Sequence, residues 1–147
     1  MLWIAALIVA IGLIAVVINA VRTKRKREFL ENTLDANALF ALMNQTPVQL
    51  YDVRQPLDLL AYSEMIPGAK RIPPKELIAN PELIPRDQDV VVYCTCEAQK
   101  TSMEIVRKAK GLGYSRVKVL RDGLAGWKAQ GYPVAPYRES FRLDTAV

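Results

Sequence analysis

The sequence predicts an α/β domain with a parallel sheet flanked by helices on both faces, preceded by one N-terminal transmembrane helix. Three observations carry this. Leu2 to Val21 is apolar apart from Asn19 and carries no charge. Short β-branched runs then alternate with stretches of helical spacing, which is the signature of βα units. The most apolar of these runs, Val90 to Tyr93, is bounded by polar residues and has the length and composition of a buried parallel strand.

The N-terminal run comes first. Twenty helical residues at about 1.5 Å each cross roughly the 30 Å of a bilayer core. Arg22-Thr23-Lys24-Arg25-Lys26-Arg27 follows, five cations in six residues, and no acid precedes Glu28. This cluster accounts for the whole formal charge of +5, because the other 15 of the 20 cations balance the 15 acids. A formally neutral domain argues against a nucleic-acid partner. The basic run is read as a juxtamembrane anchor on anionic lipid. A cleaved signal peptide would carry its cations before a shorter apolar core. The expected organisation is a transmembrane helix over residues 1–22, a basic juxtamembrane linker over 23–32, a domain over 33–136 and a tail over 137–147. Cations after the span place the domain on the cytoplasmic side, in a single-pass membrane protein.

Glu28 to Asn32 reads as a connector or a short first strand. Thr33 or Asp35 caps a helix through Ala36 to Met43, which Pro47 follows. Val48 to Val53 is a strand, Leu57 to Tyr62 a helical turn or two, and Ile66-Pro67-Gly68-Ala69 a turn. Lys70 to Ile72 is a short strand, and Pro74 suits the first position of a helix to Ala79. Asn80 to Asp89 is a loop into the central strand. Thr101 to Leu112 has helical spacing, Val117 to Leu120 is a strand, and Asp122 opens a last helix that ends at Gly131-Tyr132-Pro133. The tail from Ala135 has no pattern.

Chemistry concentrates at the end of the central strand. Cys94 stands where that strand gives way to a polar loop and then a helix. Ligands of open α/β sheets gather at this edge. A helix N-terminus there offers N–H groups and positive potential, which bind anions and favour a thiolate. A buried structural cysteine beside a turn is the competing reading. There is no histidine, so Ser-His and Cys-His pairs are excluded. Two cysteines separated by one residue make neither a disulfide framework nor a zinc site. No metal and no cofactor are expected.

Several segments, in order, resemble the rhodanese-like domain family of single-domain type. They are Asp52-Val53-Arg54, Ile66-Pro67-Gly68-Ala69 with Ile72-Pro73, Tyr93-Cys94, and Gly113-Tyr114 through Val117–Leu120 to Gly123, Trp127, Gly131 and Pro133. The resemblance covers roughly Thr33 to Pro136. It implies sulfur transfer: a cysteine accepts sulfane sulfur from thiosulfate or a persulfide donor, becomes a persulfide, and passes the sulfur to a thiol or cyanide. By position Cys94 is that cysteine. The loop Thr95, Cys96, Glu97, Ala98, Gln99 and Lys100 would then cradle the sulfur, with Arg54 as a further substrate-binding residue. The implied partners are a small-molecule sulfur donor or a protein persulfide or thiol.

The sequence departs from the family in three places. The loop from Thr95 to Lys100 has neither the usual glycine nor the usual arginine, leaving Lys100 as its cation, a point charge in place of a bidentate fork. Glu64-Met65 stands where Gly-His is common. Arg121-Asp122-Gly123 replaces a Gly-Gly turn in part. Asp52 and Arg54 also read as ties between the strand end and neighbouring loops, Trp127 as packing between helix and sheet, and Cys96 as either a resolving thiol or a bystander. Two other functions compete. A cysteine-dependent phosphatase or arsenate reductase would need Cys-x5-Arg, where this chain has Cys-x5-Lys. A non-catalytic binding module at the membrane is the other.

Overall fold

A computed structural model describes residues 2–95 and 100–139. The chain divides into two units, Met1–Glu31 and Asn32–Val147. The first is carried by helix α1 (Leu2–Asn32). Large apolar side chains along it, among them Trp3, Leu7, Ile11, Ile14 and Val17, are exposed. In water that surface would be far larger than a soluble monomer tolerates. The helix is long and apolar enough to cross a membrane. It does not stop at the basic run. Glu28 to Asn32, expected as a connector or a short first strand, is the end of this helix, which continues to Asn32. The reason is local. Residues 22–32 contain no glycine or proline and are rich in Lys, Arg and Glu, so an already nucleated helix propagates through them. Arg27 and Glu31 add an exposed i,i+4 pair at 3.6 Å.

The second unit holds a five-stranded sheet, β1 (Thr33–Leu34), β2 (Val48–Asp52), β4 (Lys70–Arg71), β5 (Asp89–Tyr93) and β6 (Val117–Leu120), in the order β1-β6-β5-β2-β4. All pairings in it are parallel. The central strand β5 aligns Val92 with Tyr51 of β2 and with Val119 of β6. Val90, Val91, Val92 and Tyr93 are all buried, as a strand covered on both faces requires.

One face of the sheet packs against α2 (Ala36–Gln45) and α6 (Gly123–Ala129). There Leu34, Leu50, Val91, Tyr93 and Leu120 meet Ala36, Leu39, Leu124 and Trp127. Asp35 caps α2 by accepting from the Ala38 N–H at 2.8 Å. Trp127 is 1% exposed and donates its Nε1–H to the Pro133 carbonyl at 2.8 Å, so it packs helix on sheet as expected. On the other face α5 (Lys100–Gly111) lies against β6 and against α4 (Pro74–Ala79). Met103, Ile105, Val106 and Ala109 form its buried side. Losing one large aliphatic side chain from such a core costs about 2–5 kcal/mol.

Besides β1, two short strands lie outside the expected set. β3 (Glu64–Met65) pairs antiparallel with β7 (Ala135–Pro136), Met65 opposite Ala135. The Tyr137 N–H donates to the Ser63 carbonyl at 2.6 Å and extends the clasp. The patternless tail is thus pinned through Tyr137. Two-residue strands carry no periodicity, so nothing in the sequence marks them. Residues 140–147 of the tail lie outside the described residues. Between β2 and β3 the chain forms α3 (Pro56–Ala61).

Candidate active site at the carboxyl edge of the sheet

Cys94 follows β5 directly and is 5% exposed. Thr95 beside it is half-buried, and Lys100, the first residue of α5, is exposed. Cys96, Glu97, Ala98 and Gln99 lie outside the described residues. Among the described residues the order is therefore strand, thiol, helix N-terminus. That order places a thiol where a parallel sheet presents its ligands.

The strand end beneath Cys94 is held by a buried polar network. Asp52 and Arg54 are both fully buried and form a forked ion pair. Arg54 Nε is 2.9 Å from each Asp52 carboxylate oxygen, and Nη2 is 2.5 Å from Oδ2. Arg54 also donates to the Tyr62 carbonyl at 2.8 Å and the Glu64 carbonyl at 2.7 Å. The expectation that Arg54 binds substrate is corrected by this geometry. Its guanidinium is enclosed and spent on the protein itself, tying β2 to the segment that enters β3. The alternative reading, a tie at the strand end, describes both residues.

Tyr93 joins this network. Its hydroxyl accepts from the Ile66 N–H at 3.2 Å. Burial, with Asp52 close by, pushes its pKa far above the ordinary value of 10.0. The hydroxyl thus stays protonated beside the Asp52 carboxylate. The Val53 N–H donates to the Tyr93 carbonyl at 2.9 Å, which continues the β2–β5 ladder up to the residue before the thiol. Arg71, half-buried on β4, donates to the Asp52 carbonyl at 3.2 Å. Burial draws its pKa below the ordinary value of 12.5.

The connection from β6 to α6 closes the other side. A Cβ added to Gly123 would lie 2.0 Å from the Cys94 carbonyl oxygen. Only glycine allows that approach, and its φ of +50° is left-handed as well. Asp122 before it is also left-handed, at φ 60°, the one non-glycine residue so placed among the described residues. The partly replaced Gly-Gly turn thus keeps its backbone shape with aspartate in the first position, a residue that tolerates this region better than most. Asp122 leaves its mark on Gly126, where an added Cβ would come within 2.8 Å of the Asp122 Cβ.

The family pattern includes Gly123 but not its contact with Cys94, and it gives no role to Arg121, named only within the replaced turn, or to Ser102. Both carry buried side-chain atoms without a hydrogen-bond partner, Arg121 Nε and Ser102 Oγ. A buried donor at a turn has no sequence signature.

Comparison with known proteins agrees with the fold. The chain is 33% identical over 104 residues to a protein named sulfurtransferase from Allochromatium vinosum, covering 70% of this chain and 94% of that one. A rhodanese-related protein from Thermoplasma volcanium superposes with a TM-score of 0.59 at 25% identity, over 71% of this chain and 97% of that one. A protein from Lactobacillus plantarum shares the fold at a TM-score of 0.68 and 21% identity, over 80% of this chain and 98% of that one. The family model for the rhodanese-like domain matches residues 35–130, from the cap of α2 to the end of α6, and the chain belongs to that family.

Proposed function

We propose that this protein is a membrane-anchored sulfurtransferase that works through a Cys94 persulfide. The observation that carries the reading is the position of Cys94, shielded at the carboxyl end of β5 ahead of α5. Family membership and the name of the Allochromatium vinosum relative support a sulfurtransferase-type role.

In the first step the Cys94 thiolate attacks the outer sulfur of thiosulfate. The S–S bond of the donor breaks, sulfite leaves with the electron pair, and Cys94 becomes a persulfide. In the second step an acceptor thiolate, or cyanide, attacks the terminal sulfur and Cys94 departs as thiolate. No net proton or electron is needed beyond the ionised thiols. A persulfide carried by another protein would serve as donor by the same exchange. The chain has no histidine to act as a base, so N–H groups and the dipole of α5 must favour the anionic sulfur. Residues Thr95 to Lys100 supply those groups, and Lys100 marks the rim of the site. The exposed apolar length of α1 supports anchoring, and the cations after it support a cytoplasmic domain.

The test is turnover of thiosulfate with cyanide, combined with intact-mass detection of a sulfur adduct of about 32 Da. Cys94→Ser should lose both, whereas Cys96→Ser should keep a large part of each. An adduct that survives Cys94→Ser and vanishes in Cys96→Ser would mean the nucleophile is Cys96. Loss in both variants would make Cys96 a resolving thiol. A wild-type chain that takes up sulfur from neither thiosulfate nor a persulfide would defeat the proposal.

A further inference from the structure

We infer that Arg121 is the residue that recognises the oxyanion end of the sulfur donor, taking the part of the arginine missing from the loop after Cys94. The inference rests on the sulfurtransferase reading for the identity of the anion, but its geometry stands separately. β5 and β6 are parallel neighbours with Val92 opposite Val119. Cys94 and Arg121 each lie two residues beyond that pair, so the two strand ends bring them to the same edge. By strand alternation both fall on the sheet face that α5 covers. The contact of Gly123 with the Cys94 carbonyl keeps this turn against the thiol-bearing backbone.

The state of the Arg121 side chain points to a ligand. Its backbone is fixed, the N–H donating to the Leu34 carbonyl at 2.8 Å. Its Nε is buried and has no hydrogen-bond partner. Among the described residues Nη2 reaches only Thr33 Oγ1, at 3.5 Å, the outer limit of a hydrogen bond. No carboxylate pairs with it among the described residues. The contrast with Arg54, whose Nε and both Nη atoms are engaged, is direct. A dry, unpaired donor on a cation is costly and calls for an anion. The residue is nonetheless only half-buried, so a small ligand can reach it.

A second orphan donor lies on α5. Ser102 Oγ, in the first turn of α5, is fully buried and unpartnered. Two orphan donors, from the elements on either side of Cys94, suit a tetrahedral oxyanion such as the sulfonate end of thiosulfate. A guanidinium edge, with Nε and one Nη side by side, matches two such oxygens.

The experiment titrates the full-length chain in detergent micelles with sulfate, an unreactive tetrahedral dianion, by calorimetry. In parallel, turnover is measured with thiosulfate and with an uncharged organic polysulfide. Arg121→Gln should weaken sulfate binding about tenfold, the order expected for a charge-assisted hydrogen bond. The same variant should raise KM for thiosulfate by a similar factor, with a smaller change in kcat and little change for the uncharged donor. Arg121→Lys keeps the charge and loses the fork, and should fall between. Sulfate binding that depends on Arg121 in a protein that transfers no sulfur would support this inference and remove the sulfurtransferase reading. A wild type with no saturable sulfate binding would overturn it. So would a folded Arg121→Gln that binds sulfate normally, making Arg121 a tie to Thr33. If Arg121→Gln does not fold, Arg121→Lys decides, and unchanged sulfate affinity there overturns the inference.

Discussion

Gly123 and Cys94 meet through their backbones, and the space between them is too small for a methyl group. A Cβ on Gly123 would stand 2.0 Å from the Cys94 carbonyl oxygen and 3.2 Å from its carbonyl carbon. Gly123→Ala adds this overlap to the cost of a left-handed alanine, itself about 1–2 kcal/mol. We expect a total loss of about 2–4 kcal/mol, measured by urea denaturation, and a larger fractional loss of sulfur transfer than of folded protein. Normal stability and turnover in the variant would show that the turn yields freely.

Arg54 predicts a structural phenotype. Arg54→Ala leaves the Asp52 carboxylate buried without its partner and two carbonyls without donors. The expected cost is about 3–5 kcal/mol, seen as loss of cooperative unfolding or of soluble expression. Arg54→Met together with Asp52→Asn should recover part of it. A stable Arg54→Ala with a raised KM would restore Arg54 to the substrate site.

Tyr93 predicts an alkaline signature. Its folded pKa lies far above the ordinary 10.0, so the native state keeps a proton that the unfolded chain releases above about pH 10. The stability it contributes is fully present below that pH and is lost as pH rises through it. Tyr93→Phe should flatten this alkaline limb. It should also cost about 1–3 kcal/mol at neutral pH, because the Ile66 N–H loses its acceptor. Some alkaline loss should remain, since burial raises Tyr51 and Tyr137 as well. An unchanged limb in thermal melts from pH 8 to 11 would refute the assignment.

Lys100 is exposed at the start of α5, so its effect should be smaller than that of a buried group. Lys100→Ala should raise KM for thiosulfate by about twofold to fivefold, the range of an exposed charge contact. Lys100→Arg should preserve turnover. An unchanged KM in the alanine variant would leave the anion to backbone N–H groups and other cations.

The division of the chain at Glu31 and Asn32 predicts that deletion of residues 1–27 yields a soluble, cooperatively folded domain. Gel filtration and a thermal melt check this, and an insoluble product would contradict it. A reporter fused after Val147 should be active as a cytoplasmic marker; an active export-dependent phosphatase fusion would reverse the topology.

Periodicity and composition alone determined the layered α/β architecture, the helix able to span a membrane, and the place of Cys94 at the end of the central strand. These are repetitive or local features: a twenty-residue apolar run, β-branched strands, a cap at Asp35, a thiol at a strand end. Tertiary structure decided what depends on pairs distant in sequence. The β3–β7 clasp joins Met65 to Ala135, and two-residue strands have no period to read. The burial of Arg54 depends on carbonyls at Tyr62 and Glu64, which only the turn after α3 brings within reach. The Cys94–Gly123 contact and the unpaired Nε of Arg121 arise because the parallel register sets the ends of β5 and β6 side by side, and no spacing along the chain encodes that neighbourhood.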